Sequence, residues 1–344
     1  MQTQPKKLLV RLPNWVGDVV MATPVLDCLR QNYPKAEITG LMRSYVRDVA
    51  ADGPWFDRII DCNDKTVREF REVTRAIRDL SPDMAILLPN SIRSALTVWL
   101  GGVKKIYGYR RSGRSLLLTG GPKPVRNGRR ILPIPMVNYY MEICRWLGLR
   151  VPDVIKPSLF ISEPTQKKGE QLLNRYGIEP DDMVIGMNPG AKFGSSKCWP
   201  AEFFANLAEL LTKRFECKIL LFTGPGEGDI AKSIIETSKA QIINTFPDKV
   251  DLSLLKPLIK RCRLLVTNDT GPRHYAVAFD VPVVALMGPT DPRYTASNLE
   301  KTIVLRRELD CSPCHKKSCP YDHACMLGIL PEEALQGSEK LLRN

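Results

Sequence analysis

With 344 residues, 44% of them hydrophobic, the chain is long enough for two domains with separate cores. No stretch approaches the roughly 20 apolar residues that a membrane-spanning helix needs, and the first residues lack the apolar core of a signal peptide. We therefore expect a soluble, cytoplasmic protein.

The net charge of +13 is concentrated in one part of the chain. Between Arg93 and Arg150 there are twelve Lys and Arg residues and one acidic residue, Glu142, a net charge of +11. Such one-sided charge favours a polyanionic partner, which is nucleic acid, an anionic membrane face or a phosphorylated substrate. The alternative is a solvated basic face without a partner.

The first half alternates strands and helices as a parallel sheet covered on both faces requires. Strands are predicted at 6–12, 38–42, 58–61, 84–88 and 105–109, and helices at 19–32, 66–80, 92–100 and 137–147. Residues 113–135 are rich in Gly, Pro and Arg and predict a long connection.

The second half repeats this architecture. Strands are predicted at 183–187, 218–222, 242–243, 264–267, 281–287 and 301–305, and helices at 201–215, 230–238, 252–261 and 331–342, with a short helix after the fourth strand. The predicted domains are 1–162 and 163–344. In an alternative arrangement, the last helix packs back on the first domain. The predicted fold class is α/β, with two Rossmann-like, doubly wound domains facing a central ligand cleft.

The turn Asn268-Asp269-Thr270-Gly271-Pro272 follows a buried strand and carries helix-start signals. A helix that begins there points free N–H groups and its positive dipole end at the space above the sheet, which suits an anion. The turn also places Asp269, Thr270 and His274 at one sheet edge. The alternative is an ordinary turn with a capping threonine.

Asp18 follows the first strand within Trp15-Val16-Gly17-Asp18. Its carboxylate is expected at the rim of the first sheet, where it can take a proton from a bound hydroxyl. A helix-capping role is the alternative, and the two roles are compatible.

Two loops of the second half have the composition of phosphate- and sugar-binding loops. Residues 188–200 contain Gly190, Gly194 and Lys197, so backbone amides and an ammonium group can approach an anion, although no Walker A order is present. Residues 223–229 place Glu227 where a carboxylate can hold ribose hydroxyls. For this second loop a simple surface turn is the alternative.

The sequence contains no D-x-D pair of the kind that binds a phosphate-bound divalent metal. Negative charge on a leaving group would therefore have to be stabilised by Lys197 and by helix amides. A terminal cluster with the spacing C-x2-C-x4-C-x5-C comprises Cys311, Cys314, Cys319 and Cys325, with His315 and His323 interleaved. It fits a structural metal site, reduced thiols that pack a loop, or redox-sensitive pairing.

Together these segments resemble glycosyltransferase family 9, the lipopolysaccharide heptosyltransferases, over nearly the whole chain. The motifs that carry the resemblance are Gly17-Asp18, Asn188-Pro189-Gly190-Ala191, Lys197-x-Trp199-Pro200, Asn268-Asp269-Thr270-Gly271 with His274, and Gly288-Pro289-Thr290. Asn14-Trp15-Val16-Gly17-Asp18 and Leu88-Pro89-Asn90-Ser91 resemble the heptosyltransferase II branch. The resemblance implies a GT-B fold and inverting, metal-independent transfer of L-glycero-D-manno-heptose from ADP-heptose to the first heptose on Kdo-lipid A.

The resemblance also implies residue roles, with Asp18 as the base and Lys197 on the pyrophosphate. Donor-binding residues are expected to be Asn188, Gly190, Ala191, Lys197, Gly224, Glu227, Val250, Asp269, Thr270, Gly271 and His274. Acceptor-binding residues are expected to be Asn14, Trp15, Asn90, Arg93, Arg110, Arg111 and Arg114. No cofactor and no catalytic metal are expected, and the protein is expected to work peripherally at the cytoplasmic face of the inner membrane. Arg273 departs from the apolar residue usual before the motif histidine.

Three alternatives remain open. A nucleic-acid-binding protein would explain the charge, but no recognised binding module is present and no nucleic-acid partner is expected. A dehydrogenase or epimerase would need a G-x-G-x-x-G fingerprint, which is missing. Heptosyltransferase I or another family 9 sugar transferase is the nearest competitor.

Overall fold

Two parallel β-sheets organise the chain, and each belongs to its own compact unit. A computed structural model describes residues 4–64 and 66–343. The first unit is Met1–Phe160 and the second is Ile161–Asn344, so the division lies two residues before the predicted one.

The elements of the first unit are strands β1 (Lys7–Arg11), β2 (Glu37–Met42), β3 (Arg58–Asp61), β4 (Met84–Leu87), β5 (Lys105–Gly108), β6 (Arg126–Asn127) and β7 (Arg130–Ile131), and helices α1 (Val16–Asn32), α2 (Arg47–Ala50), α3 (Val67–Leu80), α4 (Ile92–Leu100) and α5 (Met136–Trp146). The main sheet has the order β3-β2-β1-β4-β5 and is parallel throughout. The predicted long connection contains the short antiparallel pair β6–β7.

The centre of the first sheet is formed by β1 and β4, whose side chains are almost all buried. The strand order reverses between these two strands, because the chain winds first towards β3 and then towards β5. At such a switch point the loops that follow the two strands leave in opposite directions and open a crevice for a ligand. Asp18, in the first turn of α1, and Asn90, in the loop after β4, belong to the two segments that flank this point.

The elements of the second unit are helices α6 (Glu163–Arg175), α7 (Ala201–Phe215), α8 (Gly228–Thr237), α9 (Leu255–Arg261), α10 (Gly271–Ala278), α11 (Ala324–Leu327) and α12 (Pro331–Arg343), and strands β8 (Val184–Asn188), β9 (Lys218–Leu221), β10 (Ile242–Asn244), β11 (Leu264–Asn268), β12 (Val283–Leu286) and β13 (Thr302–Leu305). The parallel sheet has the order β10-β9-β8-β11-β12-β13. Its order reverses between β8 and β11, where Thr267 pairs with Asn188. The loops predicted to hold the donor follow these two strands.

Besides short elements that were not predicted, among them α2 and α11, the structure differs from the prediction at two helices. The first helix begins at Val16, three residues before the predicted start, because its N-cap residue Trp15 offers no side-chain cap that would mark it. Helix α6 is absent from the prediction, since it carries Gly169 and few apolar residues; that glycine leaves room for Pro257 of α9. The last helix, α12, packs on α7 and on β11 to β13 of its own unit.

Candidate active site

Lys197 and Asp269 meet at the switch point of the second sheet. Lys197 ends a short 3-10 turn in the loop after β8, and Asp269 directly follows β11. The lysine Nζ donates to the Asp269 backbone carbonyl at 2.7 Å and to its Oδ2 at 3.0 Å, and it lies 5.2 Å from the Phe193 ring centroid. The two loops identified from the sequence therefore converge on one ammonium group.

The Asp269 carboxylate makes two further contacts. Arg273 Nη1 donates to Oδ1 at 2.8 Å, and Thr290 Oγ1 donates to Oδ2 at 2.7 Å. Burial alone would raise the pKa of Asp269, but Lys197 and Arg273 lower it far below its usual range. Two cations on one carboxylate leave this buried group with a net positive charge, which favours an anionic ligand beside it.

Arg273 therefore has a defined place, although it departs from the expected motif. Its side chain is buried and also donates to Thr295 Oγ1 at 3.0 Å. It acts as the second cation of the Asp269 group and not as a surface charge.

Two asparagines fix the backbone around this group. Asn188 Nδ2 donates to Thr270 Oγ1 at 3.1 Å and to Thr267 Oγ1 at 3.3 Å. Asn268 Nδ2 donates to the Pro189 carbonyl at 2.6 Å, and its Oδ1 accepts from Trp199 N at 3.1 Å. Both asparagines are buried, so each bond ties a strand end to a neighbouring loop with little competition from water.

The N-terminus of α10 directly follows Asp269, where the sequence predicts a helix start. Thr270 is its N-cap, but the side chain makes no cap hydrogen bond and instead accepts from Asn188. Gly271 and Pro272 form the first turn, which leaves the helix dipole uncapped by a side chain. The capping-threonine alternative is therefore wrong.

His274 lies one residue beyond Arg273 in α10. Burial, followed by the positive charge of Arg273, lowers the pKa of His274 to about 3. The imidazole is consequently neutral near pH 7, so it can recognise a ligand by hydrogen bonding but adds no positive charge.

Glu227 lies against the loop after β8. The carboxylate Oε2 accepts from Gly224 N at 2.6 Å, and a Cβ on Gly190 would lie about 2 Å from the same carboxyl group. Gly190 is thus required because Glu227 occupies the space of its side chain. Ala191 is half-buried in the same loop, whereas Val250 is half-buried in the segment before α9.

The cysteine-rich segment packs directly on the two loops that hold Lys197 and Thr290. Ser196 N donates to the Lys317 carbonyl at 3.1 Å, and His323 Nε2 lies 2.8 Å from the Ser196 carbonyl. On the other side, Ser312 Oγ donates to the Gly288 carbonyl at 2.8 Å. The segment is therefore hydrogen-bonded to both loops.

All four terminal cysteines are free thiols. Burial raises the pKa of Cys325, and the charges of Cys319, Cys311 and Cys314 add to the effect, so the four lie in one neighbourhood. Across residues 4–64 and 66–343, however, no three or more His, Cys, Asp or Glu side chains are grouped as a metal site requires.

In the first unit, Asp18 lies in the first turn of α1 and so is not the N-cap. Its Oδ1 accepts a hydrogen bond from Tyr140 Oη at 2.7 Å. Nearby, Arg11 Nη2 donates to Asn14 Oδ1 at 2.9 Å, while Trp15 is 49% exposed. The rim of the first sheet therefore presents a carboxylate that accepts a hydrogen bond from a buried tyrosine.

The predicted acceptor residues separate into two kinds. Asn90 Oδ1 accepts from Tyr139 Oη at 3.0 Å, and Arg111 Nη1 donates to that hydroxyl at 3.4 Å. Arg110 is exposed, and Arg93 is exposed with its Nε 3.9 Å from Asp64 Oδ2. Asn90 and Arg111 are therefore tied to Tyr139, whereas Arg110 and Arg93 reach solvent.

Arg114 was predicted to bind the acceptor, but the structure places it in the interior. Its side chain is fully buried, and its guanidinium donates to the Tyr109 carbonyl at 3.1 Å and to the Pro89 carbonyl. Burial lowers its pKa to about 10. Arg114 therefore fixes the loops after β4 and β5 and does not face an acceptor.

Among the described residues, no helix is both long and apolar enough to span a bilayer. The fold and the two switch-point sites define a class: a two-unit α/β protein of the GT-B type, with a buried Lys197–Asp269–Arg273 group in the second unit and a carboxylate at the rim of the first sheet.

The family follows from comparison with known proteins. Glycosyltransferase family 9 (heptosyltransferase) matches residues 70–325. Lipooligosaccharide heptosyltransferase 2 of Haemophilus ducreyi is 31% identical, with 98% of this chain and 99% of that protein covered. The solved structure of the E. coli ADP-heptose lipopolysaccharide heptosyltransferase II has a TM-score of 0.80 at 27% identity, with 98% of each chain covered. A family 9 glycosyltransferase from Veillonella parvula has a TM-score of 0.85 at 24% identity, covering 100% of this chain and 99% of that chain. The chain belongs to glycosyltransferase family 9 and is a transferase.

Two features of these sites were not predicted from the sequence, namely the contacts of the Tyr139 and Tyr140 hydroxyls and the bond from Thr290 to Asp269. The sequence pattern predicts Tyr139 and Tyr140 to be core residues of an amphipathic helix. Nothing in the neighbouring sequence indicates that their hydroxyls bond to Asn90 and Asp18. Thr290 belongs to a family motif, Gly288-Pro289-Thr290, but its bond to Asp269 depends on the pairing of β11 with β12.

Proposed function

We propose that the protein transfers L-glycero-D-manno-heptose from ADP-heptose to the first heptose of the Kdo-lipid A inner core, with inversion and without a metal ion. The names of the Haemophilus and E. coli relatives support this donor and this branch of the family. The observation that carries the proposal is the Lys197–Asp269–Arg273 group beside the free N-terminus of α10, which suits a diphosphate.

On the donor side, the diphosphate takes a place near Lys197 and the first turn of α10. Because Asp269 already holds Lys197, the ammonium group is pre-positioned and needs little reorganisation to meet negative charge. Glu227 is proposed to hold the ribose hydroxyls, and neutral His274 to donate a hydrogen bond to phosphate or sugar.

The reaction is a single displacement. Asp18 takes the proton of the acceptor hydroxyl while that oxygen bonds to the anomeric carbon of the heptose. The bond from this carbon to the diphosphate oxygen breaks, and ADP leaves with the electron pair. Lys197 and the α10 amides stabilise the charge that grows on ADP, a role that other enzymes give to a divalent metal.

The acceptor is proposed to bind the first unit at the inner membrane. Kdo and lipid A carry carboxylates and phosphates, which Arg93, Arg110 and Arg111 can meet. Near the same loops Leu116 is 96% exposed and Ile92 51% exposed. Apolar side chains among basic ones suit the surface of an anionic membrane, so we propose peripheral attachment at the cytoplasmic face.

The test uses purified protein, ADP-heptose and acceptors truncated before and after the first heptose, with and without a chelator. The proposal expects transfer only to the acceptor that already carries one heptose, unchanged by chelation. Transfer to the acceptor without heptose would instead identify a heptosyltransferase I activity. If neither acceptor received heptose, the protein would catalyse a different family 9 sugar transfer.

A further inference from the structure

Two consecutive tyrosines of α5 contact the two segments that flank the first switch point. Tyr140 bonds to Asp18, which follows β1, and Tyr139 bonds to Asn90, which follows β4. Neighbouring residues on a helix point about 100° apart, so one rigid helix reaches both segments. The spacing between Asp18 and Asn90 is thereby tied to a helix backbone and not to loop conformation alone.

The Tyr140 hydroxyl is a permanent donor. The side chain is only 4% exposed, and α5 packs along α1. Burial and then the negative charge of Asp18 raise the pKa of Tyr140 well above its ordinary value, so the hydroxyl keeps its proton. At 2.7 Å the bond to a carboxylate is charge-assisted and directional, and it restricts rotation of the Asp18 side chain.

The Tyr139 ring is fixed as firmly as its neighbour. It stacks on Tyr109 with ring centroids 3.7 Å apart and planes within 4°, and it meets Tyr140 edge-on at 5.8 Å. Its hydroxyl donates to Asn90 and accepts from Arg111. In contrast, the Tyr275 hydroxyl of the second unit donates to a backbone carbonyl, that of Leu252, as a purely structural tyrosine does.

We propose that Tyr139 and Tyr140 are positioning residues for the transfer, with Tyr140 orienting the Asp18 carboxylate towards the acceptor hydroxyl and Tyr139 holding Asn90 and Arg111 against the acceptor. This inference rests on the proposed function, because it assumes that Asp18 is the base. It adds the residues through which the first unit sets the geometry of proton transfer.

The test compares Tyr140→Phe and Tyr139→Phe with Tyr33→Phe, each of which removes one hydroxyl. Tyr33 is buried in the same unit at the opposite end of α1 from Asp18, which makes it a matched control. Tyr140→Phe should lower kcat about 10- to 100-fold with little change in acceptor KM. Because the lost bond favours the charged carboxylate, the acid limb of its pH–rate profile should also move to higher pH. Tyr139→Phe should mainly raise the acceptor KM, by about 3- to 10-fold.

The outcomes separate the inference from the function on which it rests. If wild-type protein transfers heptose but Tyr140→Phe has the kcat of Tyr33→Phe, the positioning role is overturned. A lower kcat with an unmoved pH profile and a lower Tm would show a merely structural tyrosine and would also overturn it. If wild-type protein transfers heptose to no acceptor, the proposed function itself fails.

Discussion

Lys197 and Asp269, 72 residues apart in the sequence, form an ion pair at 3.0 Å in which both side chains are about nine-tenths buried. A lone buried pair would be neutral and would hold its lysine back from a ligand. Here Arg273 shares the carboxylate, so the group keeps a net positive charge. Asp269 therefore anchors a preformed cationic group, to which we assign the diphosphate of the donor as a proposal.

Removal of Lys197 should affect binding and turnover together. Lys197→Ala should weaken ADP binding about 10- to 100-fold and lower kcat as well, because the ammonium meets the diphosphate before and during its departure. Calorimetric titration with ADP and steady-state rates measure the two effects. Lys192→Ala, at an exposed lysine of the same loop, is the control. Normal ADP affinity in Lys197→Ala would remove the lysine from the diphosphate site.

Asp269 should make stability depend on pH. Its pKa is lowered in the folded protein, so its contribution is fully present above the unfolded value of about 4 and is lost as the pH falls towards the lower folded value. Asp269→Asn leaves two buried cations without their carboxylate and should lower the free energy of unfolding by about 3–5 kcal/mol at pH 7. The deficit should shrink below pH 4.

Denaturant unfolding at pH 7 and at pH 3 checks this expectation. Glu72→Gln, which breaks an exposed pair with Arg68, is the control and should change little. A deficit for Asp269→Asn that stays the same at both pH values would contradict the assigned pairing.

Arg273 offers a test of the net charge. Arg273→Met keeps most of the side-chain volume but removes the second cation, so the group beside α10 becomes neutral. ADP binding should weaken about 3- to 10-fold, and the weakening should diminish at high salt. Arg273→Lys should retain most of the affinity. Equal affinities of the Met variant and the wild type would mean that Arg273 serves packing alone.

Much of the fold follows from the sequence, since apolar strand runs such as residues 84–88 and 264–267 lie within a residue of the observed strands. The convergence of Lys197 and Asp269 also follows, because both come after strands of one parallel sheet. The burial of Arg114 does not. A basic stretch predicts exposed charge, and only tertiary structure reveals that backbone carbonyls surround this guanidinium. The contact of Glu227 with Gly190 is hidden for the same reason.

Substitutions of Arg114 and of its neighbours Arg110 and Arg111 should affect different properties, stability in the first case and acceptor binding in the second. Charge reversal of Arg110 and Arg111 to Glu should raise the acceptor KM at least about 5-fold and leave ADP affinity unchanged. Arg114→Met should instead lower the Tm, because buried carbonyls lose their donor. Lys239→Glu, at an exposed position of the second unit, is the control. Loss of ADP binding in the double variant would refute the acceptor assignment.

The central claim, that Asp18 accepts the proton in a transfer whose leaving group is held by the second unit, is tested most directly by Asp18→Asn. This substitution keeps the shape of the side chain and can still accept from Tyr140, but it removes the base. We expect kcat to fall by roughly 10²–10⁴ while calorimetric ADP affinity stays at the wild-type value. Near-normal kcat in Asp18→Asn would contradict the assignment of Asp18 as the base and would require another base.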